Sequence, residues 1–405
     1  MQSTQPTTAK QPMRARQCAI SGGLVVAPRV AGLVATLVLL IATSASAHLP
    51  KRPLRWANAG FARHSQAVEH VTLRGADERG NRTFIRFSMA NAGYKKGRLT
   101  ITVLQGVGAK RVYGKQTFNP GSYAVFEDRF GLQAGGNVLE VKGGKLHMRF
   151  QLGELTGTAT LTPRGSGLTL NDRGPSGWIR RDLLTPWAKL SVDLRDSKGL
   201  TAKLDSTVFA VHEASTIKAH RTYDRVVQLH QVRGSRLTVV DYLVGPEERQ
   251  RRPLGFVIVR GGGQRFVGRV TREERTAERN DRGNGYKVPW HIAVHAEHRG
   301  KVADVQLTTG RQVARQDDLA KLGFFARKAV GLLIHPYTYT LAGTWKAAIT
   351  SATAAPGTHA VRVAGGQPPP APASAASGPA GAQVAAASAV ITTEGKAHYK
   401  YAQAR

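Results

Sequence analysis

Residues 146–162 read Leu-His-Met-Arg-Phe-Gln-Leu-Gly-Glu-Leu-Thr-Gly-Thr-Ala-Thr-Leu-Thr, and their parity decides the fold. Leu146, Met148, Phe150 and Leu152 alternate with His147, Arg149 and Gln151. After Gly153-Glu154, Leu155, Gly157, Ala159 and Leu161 alternate with Thr156, Thr158, Thr160 and Thr162. Successive side chains of a strand point to opposite faces, so this pattern predicts half-buried antiparallel strands. The two-residue step between them is short enough for a hairpin.

Comparable runs lie upstream at Thr83–Met89, Arg98–Leu104 and Tyr123–Phe126. Downstream they recur at Lys189–Arg195, Thr207–Glu213, Leu237–Val244, Leu254–Arg260, Arg265–Thr271, Val288–His295 and Val302–Leu307. Turn signals separate them: Gly135-Gly136, Gly143-Gly144, Asn171-Asp172, Gly174-Pro175, Gly245-Pro246 and Gly261-Gly262-Gly263. Many short strands with little helix predict barrels or sandwiches. One segment departs from period two. Between Asp317 and Leu333, the residues Leu322, Phe325, Ala326, Ala329 and Leu333 recur at three- and four-residue spacing. Asp317 and Asp318 lead and Arg327 and Lys328 come late, the order a helix dipole favours, so an amphipathic helix is expected. An aromatic strand, Tyr337-Thr-Tyr339-Thr-Leu341 to Trp345, comes after it. The 64–349 region is too long for one small barrel and divides near residue 205.

The ends differ in composition from this middle. Val30–Thr43 is an apolar run of 14 residues preceded by basic residues and followed by Ala45 and Ala47. That order predicts a secretory signal cleaved after Ala47, with an uncleaved anchor as the rival. Cys18, the single cysteine, lies before the run, so a cleaved chain has neither disulfides nor thiol chemistry. Residues 351–390 hold 15 Ala, 6 Pro and 5 Gly with no acid, a composition expected to be disordered. The last residues, from Ile391 to Arg405, read as a frayed basic-aromatic terminus. Net charge is +32, of which Lys10, Arg14, Arg16 and Arg29 contribute four. A surface of that sign attracts anionic material.

Chemistry-bearing residues cluster in Thr207–Val232, which reads strand, turn, strand and sets His212, His220 and His230 in an otherwise apolar wall. His212 shares a face with Val208 and Ala210 while Glu213 points the other way, so these two are not an acid–base pair by themselves. His220 or Asp241 has to supply the partner for proton transfer. His291 and His295 share one face of their strand, with Trp290, Ile292 and Val294 on the other. Two imidazoles hold a metal only with further ligands, and solvent-facing histidines are the expectation. There is no HExxH and no GxSxG, and Gly261–Gly263 lacks the Lys-Ser/Thr and helix of a phosphate loop. The stretches Glu247–Arg252 and Arg272–Arg282 alternate arginine with acids and read as solvated, self-paired loops. Neither interleaves aromatics with basic residues as single-strand nucleic-acid sites do.

Two segments carry a family resemblance. Phe209-Ala-Val-His212-Glu-Ala-Ser-Thr-Ile-Lys-Ala-His220, after a strand-rich first half, resembles the junction segment of the survival-factor family of tandem lipocalin-like proteins. Leu322-Gly-Phe-Phe-Ala-Arg-Lys-Ala-Val-Gly-Leu-Leu, running on to His335-Pro336-Tyr337-Thr-Tyr339, resembles that family's closing helix and Pro-Tyr-x-Tyr strand. The resemblance implies two calycin-type barrels and binding of a hydrophobic ligand such as a sphingolipid, with a link to oxidative-stress survival. Carotenoid 1,2-hydratases and tocopherol-cyclase-like proteins share that architecture. Where those enzymes carry a Gly-Tyr-x-x-His-Asn-Trp-type segment, this chain has Phe209-Ala210-Val211-His212-Glu213, without the Asn and Trp.

The expected fold is therefore all-β, with two consecutive lipocalin-like antiparallel β-barrels, one late amphipathic helix and a disordered C-terminal tail. The divisions are 1–47 signal peptide, 48–63 linker, 64–205 first barrel, 206–349 second barrel and 350–405 tail. A barrel of about eight to ten strands is wide enough to hold one small apolar ligand. The expected function is an exported, noncatalytic binding or carrier protein for a lipid, sphingolipid-like or isoprenoid molecule. It would be periplasmic, envelope-associated or secreted. Its alternatives are an isoprenoid hydratase or cyclase using His212 or Asp241, and an envelope structural protein without ligand. His212, His220, Tyr223, His230, Asp241, Tyr337 and Tyr339 are placed near the ligand. Partners are a hydrophobic small molecule or lipid and, by charge, an anionic membrane or envelope surface, with no specific nucleic acid. No cofactor and no metal are expected.

Overall fold

A computed structural model describes residues 49–77, 79, 81–91, 96–106, 111–218, 221–233, 236–247, 250–261, 263–281, 285–317, 319–320, 337–351 and 391–403. The expected signal peptide, the 352–390 stretch, His220 and nearly all of the expected late helix lie outside these residues. Among the described residues no helix is long and apolar enough to cross a membrane. Two short helical turns open the chain, a 3-10 turn at Arg55–Ala57 and α1 at Ala59–Arg63. Asn58 caps α1, its side chain accepting from the Phe61 amide at 3.1 Å.

Twelve strands then form the first domain. They are β1 (Val68–Ala76), β2 (Arg82–Ala90), β3 (Arg98–Gly106), β4 (Val112–Phe118), β5 (Ala124–Val125), β6 (Gly131–Ala134), β7 (Asn137–Lys142), β8 (Lys145–Leu152), β9 (Leu155–Arg164), β10 (Leu168–Gly174), β11 (Gly177–Arg195) and β12 (Thr201–Ser215). The sheet runs β4-β3-β2-β1-β12-β11-β9-β8-β7-β6-β5, with β10 attached to β11. The 146–162 parity is realised in full: Leu146, Met148, Phe150, Leu152, Leu155, Ala159 and Leu161 are buried, and Leu152 pairs with Leu155 across the hairpin. The sheet curls about this core until β4 reaches the β8–β9 hairpin. A Cβ at Gly114 would stand 2.6 Å from the end of the Leu155 side chain and 3.1 Å from the Leu152 Cβ, so the glycine permits a close approach there. Asn171-Asp172, expected as a turn, lies inside β10, because it pairs with Arg180 and Ile179 of β11. β11 changes partner midway, from β10 to β9. Its register shifts between Leu183 and Ala188, and Pro186 sits in that bulge, where a missing amide costs no ladder bond.

The second domain is a closed eight-stranded barrel. It is built from β13 (Arg225–Arg233), β14 (Arg236–Val244), β15 (Pro253–Gly261), β16 (Gln264–Asn280), β17 (Lys287–His298), β18 (Lys301–Asp317), β19 (Tyr337–Ser351) and β20 (Ile391–Gln403). Three expectations are corrected here. The domain boundary does not fall at 205/206, because β12 runs unbroken through it and pairs with β1 and β11; the first domain ends at Ser215. The C-terminal residues are not a frayed end, because β20 pairs with β19 and β13 and closes the barrel. Arg272–Asn280 is strand rather than loop, because it pairs with β17, while its charges are self-paired as expected (Arg275 with Glu278 at 2.8 Å).

Where the two domains meet, strands bury both faces. On β14, Val240, Tyr242 and Val244 fill the barrel, while Leu237, Val239 and Leu243 face the first domain. There they join Leu254, Phe256 and Ile258 of β15 against Leu170, Ile179, Leu183, Trp187, Phe209 and Val211 of β10–β12. At roughly 25 cal/mol per Å² of apolar area removed from water, a contact of this composition is a cohesive seam.

Candidate functional site

The seam does not close completely. A cavity of about 560 Å³ remains between the domains, within the usual range of roughly 300–1,000 Å³ for small-molecule sites. Its floor is the outward face of three neighbouring strands. Val68, His70, Thr72 and Arg74 come from β1, Arg86 and Ala90 from β2, and Phe209, Val211, Glu213 and Ser215 from β12. Period two puts these side chains outside the first domain's core, since Glu69, Val71 and Leu73 occupy the inner face. The roof is Val226 and Gln228 of β13 with Asp241 and Leu243 of β14, and the connection contributes Ile217, Thr222 and Tyr223.

One wall of the cavity is an ion cluster that ties the domains together. Arg181 of β11 donates from Nη2 to Asp241 Oδ1 at 2.7 Å, from Nε to Glu213 Oε2 at 2.9 Å and from Nη1 to the Leu254 carbonyl at 2.9 Å. Burial opposes the Arg181 charge, but Asp241 and Glu213 outweigh it and raise its pKa. Burial likewise pushes the Asp241 carboxyl up, yet the Arg181 charge and a 2.9 Å bond from His230 Nε2 hold it well below the usual carboxylate range. His230 is itself lowered, chiefly by burial, so it is neutral and donates that bond. Arg74 reaches the roof through a 3.2 Å bond to Gln228 Oε1. His70, directly opposite Glu213 in the sheet, is lowered far below its usual value, first by burial and then by the Arg86 charge.

His212 lies on the other face of β12. Its Nε2 is 2.7 Å from Glu69 Oε1 and its Nδ1 is 3.3 Å from Asp182 Oδ2, with Phe130 edge-on at 5.5 Å. Burial opposes its charge, but the bonds to Asp182 and Glu69 prevail and raise it to about 9, so an imidazolium bridges two carboxylates. Asp182, despite burial, is drawn to about 2 by His212, Arg180 and Thr169. Glu69 also accepts the amides of Arg55 (2.8 Å) and Trp56 (2.7 Å), which fixes the opening turn onto the sheet. This is a structural bridge inside the first domain, and His212 does not line the cavity.

Of the residues predicted near the ligand, the structure brings Tyr223 and Asp241 to the cavity and His230 directly behind Asp241, edge-on to Phe209 at 5.0 Å. His212 is separated from them by the sheet, as the opposite parity of His212 and Glu213 requires. Tyr337 and Tyr339 belong to the second barrel's own core, where the Tyr339 hydroxyl donates to Asp281 at 3.0 Å. His220 lies outside the described residues. Sequence reasoning missed His70, Arg74, Arg86 and Arg181. Among the described residues no group of three His, Cys, Asp or Glu is placed to hold a metal. His291 is exposed and His295 bonds to Asp304.

No protein-family model matches the sequence, and no curated protein matches it. Solved structures do show likeness. A protein provisionally named AttH from Nitrosomonas europaea is similar at 11% identity, over 83% of this chain and 91% of that one, with a TM-score of 0.41. CghA bound to Sch210972 is similar at 10% identity, over 84% and 88%, with a TM-score of 0.45. Kievitone hydratase from Nectria haematococca is similar at 8% identity, over 88% and 96%, with a TM-score of 0.41. Values this low carry nothing about ligand or reaction, and the likeness to the survival-factor family remains one of motifs.

Proposed function

We propose that this protein binds a hydrophobic small molecule, a lipid or isoprenoid, in the cavity between its two domains, and carries it without chemical change. The observation that supports this reading is the composition of the cavity. Val68, Phe209, Val211, Ile217, Val226 and Leu243 supply apolar walls, and charged and polar side chains, among them Arg74, Arg86, Arg181, Glu213 and Asp241, line the rest. Export and docking at an anionic envelope surface belong to the same proposal, motivated by the apolar run before Ala47 and by the +32 charge.

The test is mass spectrometry of lipids extracted from the purified full-length protein. A bound molecule in near-equal amount is expected, and Val226→Trp, which fills the cavity from the roof, should abolish it. A protein that carries no lipid and accepts none when loaded refutes the reading. One observation favours a second reading, an isoprenoid hydratase: His70 is uncharged, lines the cavity and sits opposite Glu213, as a general base requires. Water addition to an unsaturated isoprenoid that is lost in His70→Ala would replace the carrier with the enzyme.

A further inference from the structure

Three guanidinium groups and two carboxylates line the seam cavity, and their pairing is uneven. Arg181 takes both carboxylates, Asp241 and Glu213. Arg74 hydrogen-bonds to a neutral group, the Gln228 amide oxygen, lies 5.5 Å over the Phe84 ring, and feels the Asp241 carboxylate only through space. Arg86 forms no hydrogen bond or ion pair with any described residue, and its Nε is shut off from solvent. Its carboxylate neighbour Glu213 is already bonded to Arg181. A charge in that position has lost much of its hydration and shares the carboxylate that offsets it with Arg181, an arrangement that persists only at a cost.

The two arginines are neighbours. Arg86 of β2 stands directly across from Thr72, and Arg74 is the next outward residue along β1, so the pair are diagonal partners on one sheet face. Thr72 lies beside them with its hydroxyl on the same face, and His70 completes the row. Guanidinium forks match the geometry of carboxylate and phosphate oxygens. Opposite this basic corner, Val226, Leu243 and Ile217 present hydrocarbon.

We infer that the ligand of this cavity is an amphiphile with a single anionic head, carboxylate or phosphate monoester, seated on Arg74 and Arg86, with its apolar body under the roof. The inference rests on the seam cavity being the ligand site. It adds a charge requirement that a merely hydrophobic pocket does not have. A neutral isoprenoid alcohol or a ceramide would leave Arg86 unpaired.

The experiment compares cis-parinaric acid with its methyl ester, followed by polyene fluorescence on the full-length protein. The acid should bind about ten- to a hundredfold more tightly, the gain of one or two charge-assisted hydrogen bonds. Arg86→Met should erase that preference for the acid over the ester. Arg86→Gln gives the same readout if the methionine variant fails to fold, and the acid–ester comparison on the unaltered protein needs no variant at all. Hexadecyl phosphate and palmitate, as competitors of parinaric acid, tell a phosphate head from a carboxylate, and displacement by either supports the inference. Equal binding of acid and ester overturns the anionic head but leaves the cavity as ligand site. An Arg86 variant that still prefers the acid overturns the assignment to this residue. Inorganic phosphate displacing the probe as well as hexadecyl phosphate overturns the amphiphile. If neither acid nor ester binds, the seam cavity itself is wrong.

Discussion

Removing Arg181 should separate the two domains energetically, and the size of the effect can be worked from its bonds. Arg181→Met keeps most of the side chain's length and deletes three hydrogen bonds. The bond to Asp241 is charged at both ends, and both side chains are nearly inaccessible, at 7% and 5% exposure. Its loss costs about 1.5–3 kcal/mol. The Leu254 carbonyl adds about 1 kcal/mol, and the Glu213 bond, at 26% exposure, less than that. The total is about 3–5 kcal/mol, the range typical of breaking a buried pair from one side. Urea unfolding followed by tryptophan fluorescence and by circular dichroism is the assay. The two probes should stop coinciding in the variant as the domains unfold separately.

The double variant Arg181→Met/Asp241→Leu decides the mechanism, since it removes the charge that the single variant strands. It should be less destabilised than the sum of the two singles by about 2–3 kcal/mol. Asp241 also gives the penalty a pH dependence. Its pKa is depressed in the folded state, so its contribution is present above the ordinary carboxylate value of about 4 and fades as pH falls. The gap between wild type and Arg181→Met should therefore narrow in acid. A single-variant cost below about 1 kcal/mol, or strict additivity in the double, would sink the view that this pair holds the seam.

Two further outcomes concern groups away from the cavity. His212, raised to about 9, stabilises the first domain fully below its unfolded value of about 6.5 and loses that contribution as pH rises through about 9. The loss is on the order of 3 kcal/mol, read from urea midpoints against pH, and His212→Gln should flatten the alkaline slope. Deleting residues 391–405 removes β20 and exposes the facing edges of β13 and β19, along with the lumen that Tyr401 fills. The second domain should then lose its cooperative transition and aggregate through the open edges, seen by calorimetry and light scattering, whereas a dispensable tail would leave both unchanged.

A period-two pattern shows which face of a strand is apolar, and that sets how much of the fold was legible in the sequence. The 146–162 hairpin, the strands at Thr83–Met89 and Arg98–Leu104, and the opposite orientations of His212 and Glu213 were all readable from it. Pairing partners far apart in sequence leave no such mark. Nothing local to residue 205 says that β12 must return to β1, so the expected boundary falls inside β12 rather than at its end. The composition of 351–390 masked the strand beyond it, although Tyr399 and Tyr401 share a parity that a strand would use.

The residues of the candidate site were hidden for a related reason. His70, Thr72, Arg74 and Arg86 alternate with Glu69, Val71, Leu73 and Ile85 and so read as an ordinary solvated face. Only the docking of β13 and β14 turns that face into a floor. A trace of this was present in the sequence. Leu237–Val244 hardly alternates, and antiparallel strands buried on one side should alternate. A run with both parities apolar, in a chain otherwise ruled by period two, marks a strand covered on both sides. The single acid in that run, Asp241, then has to meet a cation from whatever covers it, and Arg181 of the other domain is the one that reaches it. The break in alternation thus points first to the seam, then to the charge inside it, and last to the arginines on which the proposed ligand would be seated.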